Sequence, residues 1–340
     1  MASSRKSLPT EAPSAPTQAL AACLARHVLP GQHLVLGLSG GIDSIVLLHA
    51  LAAARSGTPA AFSLAALHVH HGLSVNADRW EAFCRGLCER LDVPFACAHV
   101  IVERGSADGL EGAARRARHA AFVASAADWV VLAQHRDDQA ETLLFNLLRG
   151  TGMAGAAAMR ERSGRLLRPL LPVGRADIEA YARQHGLDWV EDESNADLRH
   201  ARNFLRHRVL PELHGRFPAA AKNMAAAAAR FAEALALLDA LARIDLDGTE
   251  DFPLDIACLD RLDEARARNV LRYLLARRQV MIPGEARLAE AVRQMRSAGP
   301  DRHPALVFGD RRLYRRRGRL YLEPVGEGGM EDSGDSTETC

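Results

Sequence analysis

The sequence predicts an α/β fold: a doubly wound parallel sheet followed by a smaller helical or α+β carboxyl-terminal domain. Three observations carry this. The apolar run Leu34-Val35-Leu36, with Leu38, leads through Ser39-Gly40-Gly41-Ile42-Asp43-Ser44 into a helical apolar run ending near Leu51. Apolar strands then alternate with helical segments, as a parallel sheet with crossover helices requires. Beyond Pro218 the alternation stops and a long Ala-rich helix begins. These shifts divide the chain into an extension over 1–20, a first domain over 21–215, a second over 216–325 with a long linker helix, and a tail over 326–340. The Pro/Ser/Ala-rich extension and the acidic Gly/Ser-rich tail are expected to be disordered.

The elements follow in order. After the first strand, glycine turn and helix, residues 60–69 form a second strand that ends at His70-His71-Gly72-Leu73. A helix over 76–91 places Trp80, Phe83, Leu87 and Leu91 on one face. Residues 94–100 are a third strand, 110–127 a helix carrying Arg115, Arg116 and Arg118, and 129–133 a fourth strand. Gln134-His135-Arg136-Asp137-Asp138-Gln139 then opens a helix that closes at Gly150. The loop over 150–155 reads equally as a helix cap with linker and as a substrate contact. A strand over 166–171 is broken by Pro169, and an amphipathic helix spans 175–185. The acidic loop 189–195 precedes a basic helix carrying Arg199, Arg202, Arg206 and Arg208, which Pro211 ends. In the second domain, 259–278 and 287–295 read as helices, and 305–308, 311–314 and 319–322 as short strands.

Composition excludes more than it selects. The 340 residues are 48% hydrophobic and 25% charged, ample for a globular core. The net charge of +1 comes from 43 basic and 42 acidic residues, with lysine only at Lys6 and Lys222, so nucleic acid is neither required nor excluded. Six scattered cysteines without a CxxC pair fit a reducing cytoplasm, and Cys84 and Cys88 read as buried thiols on one helix face. No apolar run is long enough to span a membrane.

The chemistry gathers at strand ends. Ligands on doubly wound sheets bind beyond the carboxyl ends of the strands, where Ser39 to Ser44, His70 to Leu73 and Gln134 to Gln139 all fall. The first loop is a phosphate cradle: unpaired helix-start N–H groups donate to an anion, Gly40 and Gly41 permit close approach, Ser39 and Ser44 add hydroxyls, and Asp43 can hold Mg²⁺. Asp138 and Glu141 are three residues apart, share a helix face, and can bind Mg²⁺ or an ammonium group. Strand alternation puts His68 and His70 on one face. No Cys or carboxylate cluster stands at metal-ligand spacing from them, so they read as lining of the nucleotide crevice. Arg311, Arg312, Arg315, Arg316 and Arg317 surround Tyr314; they suit RNA backbone with base stacking, and equally a solubilised edge hairpin.

In order and spacing, these strings resemble the tRNA(Ile)-lysidine synthase family of PP-loop ATP pyrophosphatases, whose catalytic domain is Rossmann-like, over residues 30–325. The matching pieces are the Ser39–Ser44 loop, His68 to Leu73 with Asp78, Glu111 with Ala114-Arg115 and Arg118, and Leu132 to Thr142. Gly150-Thr151-Gly152, Arg168 to Leu171, Trp189 to Asn195, Arg202-Asn203 and Leu210-Pro211 complete the set. The resemblance implies ATP-dependent ligation of L-lysine to C2 of the wobble cytidine in the CAU-anticodon isoleucine tRNA, through an adenylylated cytidine. Ser39, Gly40, Gly41, Ile42, Asp43, Ser44 and His70 would hold ATP, with Asp43 as Mg²⁺ ligand. Asp138 and Glu141 would take the lysine ammonium, and His135 would bond or transfer a proton. Arg115, Arg118 and Arg202 would contact phosphate or activated base, while Arg206, Arg312, Arg315 and Arg316 would serve tRNA. The family pattern is not matched at Gln134, where a histidine is usual, or at His119, where tyrosine is. Without a second carboxyl-terminal domain, acceptor-stem recognition by such a domain is not expected. The runner-up is a PP-loop tRNA 2-thiolase, which needs cysteines this chain does not pair. A non-catalytic RNA-binding relict would have lost the intact loop and carboxylates first. A homodimer is compatible with all of this.

Overall fold

The computed structural model describes residues 14–57, 62–102, 109–191, 197, 199–299 and 302–326. Contacts divide the chain into two units, one made of the segments ending at Arg149 and spanning Ala157–Ala229, the other of Gly150–Ala156 and the chain from Arg230.

The first unit opens with α1 (Ala15–His27), whose Pro16, Leu20 and Cys23 are buried. Helix thus occupies part of the stretch up to residue 20 expected to be disordered; its apolar face finds a core, which outweighs the Pro/Ser/Ala composition around it. Residues 1–13 and 327–340 of the expected disordered ends lie outside the described residues. Then follow β1 (Gln32–Gly37), α2 (Ile42–Gly57), β2 (Phe62–His70), α3 (Ala77–Arg90), β3 (Phe95–His99), α4 (Gly109–Val123), β4 (Trp129–Val131) and α5 (Arg136–Leu148). The single turn α6 (Met153–Ala156) belongs to the other unit. The first unit resumes with β5 (Arg162–Ser163), β6 (Leu166–Leu167), α7 (Arg175–Gln184), α8 (Ala201–Phe204), a π-helical turn (Leu205–Val209) and α9 (Leu210–Arg216).

The sheet runs β3-β2-β1-β4-β6-β5, all parallel except the β5–β6 hairpin. Strands are laid outward from β1 on one side and then, from β4, on the other. The loops after β1 and β4 therefore flank the point where the winding reverses, and a crevice opens there. β1 is apolar at consecutive positions, Leu34, Val35 and Leu36, because both faces are covered. Helix α2 is buried from Ile42 to Ala52 almost all round, and the core joins Leu20 of α1, Leu47 and Leu51 of α2, Leu167 of β6 and Ile178 of α7.

Two local expectations change. The strand expected over 166–171 shrinks to Leu166–Leu167, and residues 162–163 pair back on it, because Pro169 has no N–H to continue a ladder. Pro211 does not end the basic helix. It sits in the first turn of α9, where no intrahelical acceptor is needed, and the π-helical turn before it absorbs the change of register.

The second unit contains the latter part of α10 (Ala220–Leu246), β7 (Leu254–Asp255), α11 (Ile256–Asp260), α12 (Glu264–Arg277), α13 (Glu285–Ser297), β8 (Ala305–Phe308), β9 (Arg311–Arg316) and β10 (Arg319–Pro324). One helix expected over 259–278 is two, since Asp263 accepts from Arg266 N and starts a new one. The antiparallel sheet β7-β10-β9-β8 buries Leu254, Phe308, Leu313 and Leu320 against Val270, Leu274 and Val292.

Candidate active site

The Ser39–Ser44 loop is held in shape from within. Ser44, 3% exposed, accepts through its hydroxyl from Gly40 N (3.1 Å) and Ser39 N (3.3 Å) and donates to Gly41 O (2.9 Å). The Ser44 hydroxyl expected to face phosphate is therefore engaged in bracing the loop. Ser39 is exposed, and its hydroxyl accepts from Gly41 N at 3.3 Å. Gly40 has φ +87°, and a Cβ there would meet Val190 Cγ2 at 2.7 Å, so both backbone and packing demand glycine. At Gly41 a Cβ would meet only Ser39 Oγ, at 3.6 Å; the free space is that of a backbone open to a ligand. His68, buried and kept neutral by that burial, bonds Leu38 O at 2.8 Å just upstream.

Around the loop stand three carboxylates from two helix starts. Asp43 opens α2, while Asp138 and Glu141 lie on the first turns of α5. His135 precedes α5, where its Nδ1 accepts from Asp137 N (3.2 Å), and Asp138 Oδ2 accepts in return from His135 N (3.1 Å). The buried ring turns Nε2 between Asp43 Oδ1 (3.6 Å) and Asp138 Oδ2 (3.4 Å). Burial opposes charge on this imidazole, but Asp137, Asp138 and Asp43 outweigh it and raise its pKa. The ring also faces the Asp137 carboxylate, with Nδ1 3.6 Å from Oδ2, and this helps hold the Asp137 carboxyl at about 2. Asp43 and Glu141 go the other way: burial raises both carboxyls, only partly offset by neighbouring cations.

Those cations are arginines from distant segments. Arg175, at the start of α7, places Nη1 3.0 and 3.1 Å from the two oxygens of Asp43. Arg206, on the π-helical turn, gives Nη2 to Asp138 Oδ1 (2.9 Å) and Nε to Glu141 Oε2 (2.8 Å). Arg202 reaches Glu141 Oε1 at 3.4 Å and lies 5.1 Å over the Phe145 ring. Glu141 is 3% exposed, so a carboxylate there requires such partners.

The structure thus brings together Ser39 to Ser44, His135, Asp138, Glu141, Arg202 and Arg206. It adds Arg175 and Asp137, which carry no motif signal and were visible only as an amphipathic helix start and a dipole-matching acid. Arg118 sits further along, its Nη2 3.4 Å from His71 Nε2, and Arg115 acts electrostatically on Arg168. His70 engages Asp78 at 2.9 Å and stacks near His99, with ring centroids 4.6 Å apart. Gln134 Oε1 is buried without a hydrogen-bond partner. In the second unit, Tyr314 stacks on Tyr321 at 5.3 Å under the Arg312 guanidinium, Arg316 is exposed, and Arg315 Nη1 binds Met295 O (2.6 Å) at the end of α13. Arg315 thereby serves a helix end, a role that only the tertiary fold reveals.

A glycine-rich loop bracing a helix start at the switch point of a doubly wound sheet, ringed by carboxylates, defines a nucleotide-activating PP-loop protein. A family model described as a PP-loop domain matches residues 15–213, and one described as the TilS substrate binding domain matches residues 254–321. Among curated relatives, tRNA(Ile)-lysidine synthase of Nitrosomonas europaea is 42% identical over 310 residues, covering 89% of this chain and 67% of the relative. That of Aromatoleum aromaticum is 47% identical over 312 residues, covering 91% and 73%. The chain belongs to the tRNA(Ile)-lysidine synthase family. A U34-tRNA thiolase from Methanococcus maripaludis, solved with its [4Fe-4S] cluster, shares the fold at TM-score 0.53 and 16% identity, over 64% of this chain and 78% of the thiolase.

Proposed function

We propose that the protein is an ATP-dependent C–N ligase that joins lysine to C2 of the wobble cytidine in the CAU-anticodon isoleucine tRNA. The observation that carries this reading is the pairing of the Ser39–Ser44 cradle with the half-buried Asp138 and buried Glu141 acids across one crevice. The O2 atom of cytidine attacks the α-phosphorus of ATP, forming a P–O bond as the bond to the β-phosphate bridge breaks and pyrophosphate leaves. The lysine side-chain amine then bonds C2, and the C2–O2 bond breaks with AMP carrying the oxygen away.

The residues map onto these steps. The N–H groups at the start of α2 and in the Gly40–Gly41 turn would hold the departing anion. Asp43 fits a magnesium ligand: it is a half-buried carboxylate whose ionised form lacks full compensation, in reach of phosphates on the loop. Bound there, Mg²⁺ would neutralise charge developing on the phosphate oxygens. Asp138 and Glu141 would receive the lysine ammonium in exchange for Arg206, whose half-exposed side chain can leave without unburying the acid. His135, between Asp43 and Asp138, would in its neutral form take the proton that the ammonium must lose before it attacks. Arg115, Arg118 and Arg202 would meet phosphate or activated base, and Arg312 and Arg316 the RNA backbone.

Cysteine chemistry has no comparable support. Burial pushes the Cys84 and Cys88 thiols up to about 12 and about 11, away from the thiolate that sulfur transfer needs. We place the activity in the cytoplasm, with tRNA; among the described residues no helix is long and apolar enough to cross a membrane. The test incubates the protein with ATP, Mg²⁺, labelled lysine and a transcript of the CAU isoleucine tRNA. Label should enter that RNA; its absence, or equal labelling of elongator methionine tRNA, overturns the reading.

A further inference from the structure

The sequence places His68 and His70 on one face of β2 without a matching ligand set. The fold supplies one. β3 lies parallel to β2 in a register that sets Cys97 opposite His68 and His99 opposite His70. Side chains two apart share a face, so Cys97 and His99 stand beside the two histidines at the carboxyl end of the sheet edge. Helix α3 brings Glu81 onto the same corner, with Oε2 3.4 Å from His99 Nε2. Ligand atoms of His70, Glu81 and His99 all lie within 4.8 Å of one another. The Cys97 thiol bonds both the Glu81 carboxylate and the His70 backbone, which ties it to the same cluster.

We propose that His70, Glu81, His99 and Cys97 bind a divalent transition-metal ion of the zinc type. Two imidazole nitrogens, one carboxylate oxygen and one thiolate sulfur are the mixed donor set that Zn²⁺ takes in tetrahedral sites, and that Mg²⁺ and Ca²⁺ do not take. Bond lengths of about 2.0–2.3 Å bring tetrahedral donors to roughly 3.3–3.8 Å apart, so side-chain rotations of about 1 Å bring His70, Glu81 and His99 to that spacing. Cys97, which stands outside that trio, turns in from beside Glu81 as the fourth donor. Asp78 Oδ1, 2.9 Å from His70 Nε2, is the kind of carboxylate that fixes the ring of a metal-bound imidazole. Arg85 occupies only Glu81 Oε1, at 2.6 Å, and leaves Oε2 toward His99. Burial and the Glu81 carboxylate push the Cys97 thiol up to about 12, so its ligation requires the ion itself to displace the thiol proton to solvent. The ion clips the outermost strand of the sheet to α3. His70, expected with the nucleotide, stands in this corner beside Asp78, Glu81 and His99.

In a second cluster, the ligand atoms of Cys23, His27 and Glu161 also lie within 4.8 Å of one another. It is the weaker candidate, because Arg26 Nη2 sits 2.9 Å from both oxygens of Glu161.

The test strips the full-length protein with a chelator and titrates it with Co²⁺ alone, then Zn²⁺ alone. One Co²⁺ per chain is expected, with the visible bands of a tetrahedral ion and a near-ultraviolet thiolate-to-metal band that C97S removes. H99A, at a side chain 66% exposed and safe to truncate, should weaken binding by about 100-fold or more and abolish the rise in melting temperature that Zn²⁺ gives the parent. D43N should bind as the parent does, which separates this site from the ATP crevice. No stoichiometric Co²⁺, equal affinity in H99A, or loss in E161Q with retention in H99A would overturn the assignment; persistence of the thiolate band in C97S would remove Cys97 from it.

Discussion

Two clusters sit at the carboxyl ends of the same sheet, and their donor chemistry differs. At the β1/β4 switch point the groups are oxygens, Asp43, Asp138 and Glu141, each carboxyl held by a guanidinium or imidazole. At the β2/β3 edge they are nitrogen and sulfur, His70, His99 and Cys97, with one carboxylate. Hard oxygens with exchangeable cationic partners suit phosphates, magnesium and an incoming ammonium, all of which must come and go. Softer donors around one corner suit an ion that stays. One strand order thus makes a site for turnover and a site for permanence.

The largest effect expected is at the first cluster. D43N and D138N should each lower lysine incorporation by on the order of 10²–10³-fold or more, with circular dichroism unchanged. Parent-like turnover in either variant would remove that residue from the mechanism and erase its contrast with the edge.

The adjacent glycines sharpen the point. G40A puts a Cβ at 2.7 Å from Val190 on a backbone of φ +87°, and should lower stability by about 1–3 kcal/mol in urea melts along with ATP binding. G41A meets nothing closer than 3.6 Å, so stability should hold while the affinity for ATP falls. Equal destabilisation by both would mean that Gly41 is structural.

The smallest expected effect concerns pH. The raised pKa of His135 means that its charged form stabilises the fold fully below about 6.5, and that this contribution is lost as pH rises through the higher folded value. Asp137, depressed to about 2, contributes above its unfolded value of 3.8 and loses that contribution as pH falls toward 2. D137N should therefore lower the imidazole pKa read by NMR and narrow the stability gap between pH 6 and pH 8. An unmoved pKa would show that Asp138 and Asp43 alone set it.

Much of the first cluster was legible. Ser39 to Ser44 and Gln134 to Glu141 follow apolar strands directly, and helix spacing alone pairs Asp138 with Glu141. Arg175 was not, since its partner Asp43 is 132 residues away. The basic helix was seen, but not that Arg202 and Arg206 would turn inward onto Glu141, because a π-helical turn and the docking of that helix decide their direction. Arg315 read as part of an RNA-facing patch, whereas packing of β9 beside α13 gives it a carbonyl partner.

By itself the sequence determined what depends on near neighbours: strand, glycine turn and helix, the order of alternation, and hence which loops reach the switch point. The tertiary structure alone decided which distant charges meet, and above all the parallel register that sets Cys97 and His99 beside His68 and His70. The physical reason is range. Periodicity and turn chemistry act over a few residues, whereas register follows from burying whole faces of strands against helices, a property of the assembled sheet.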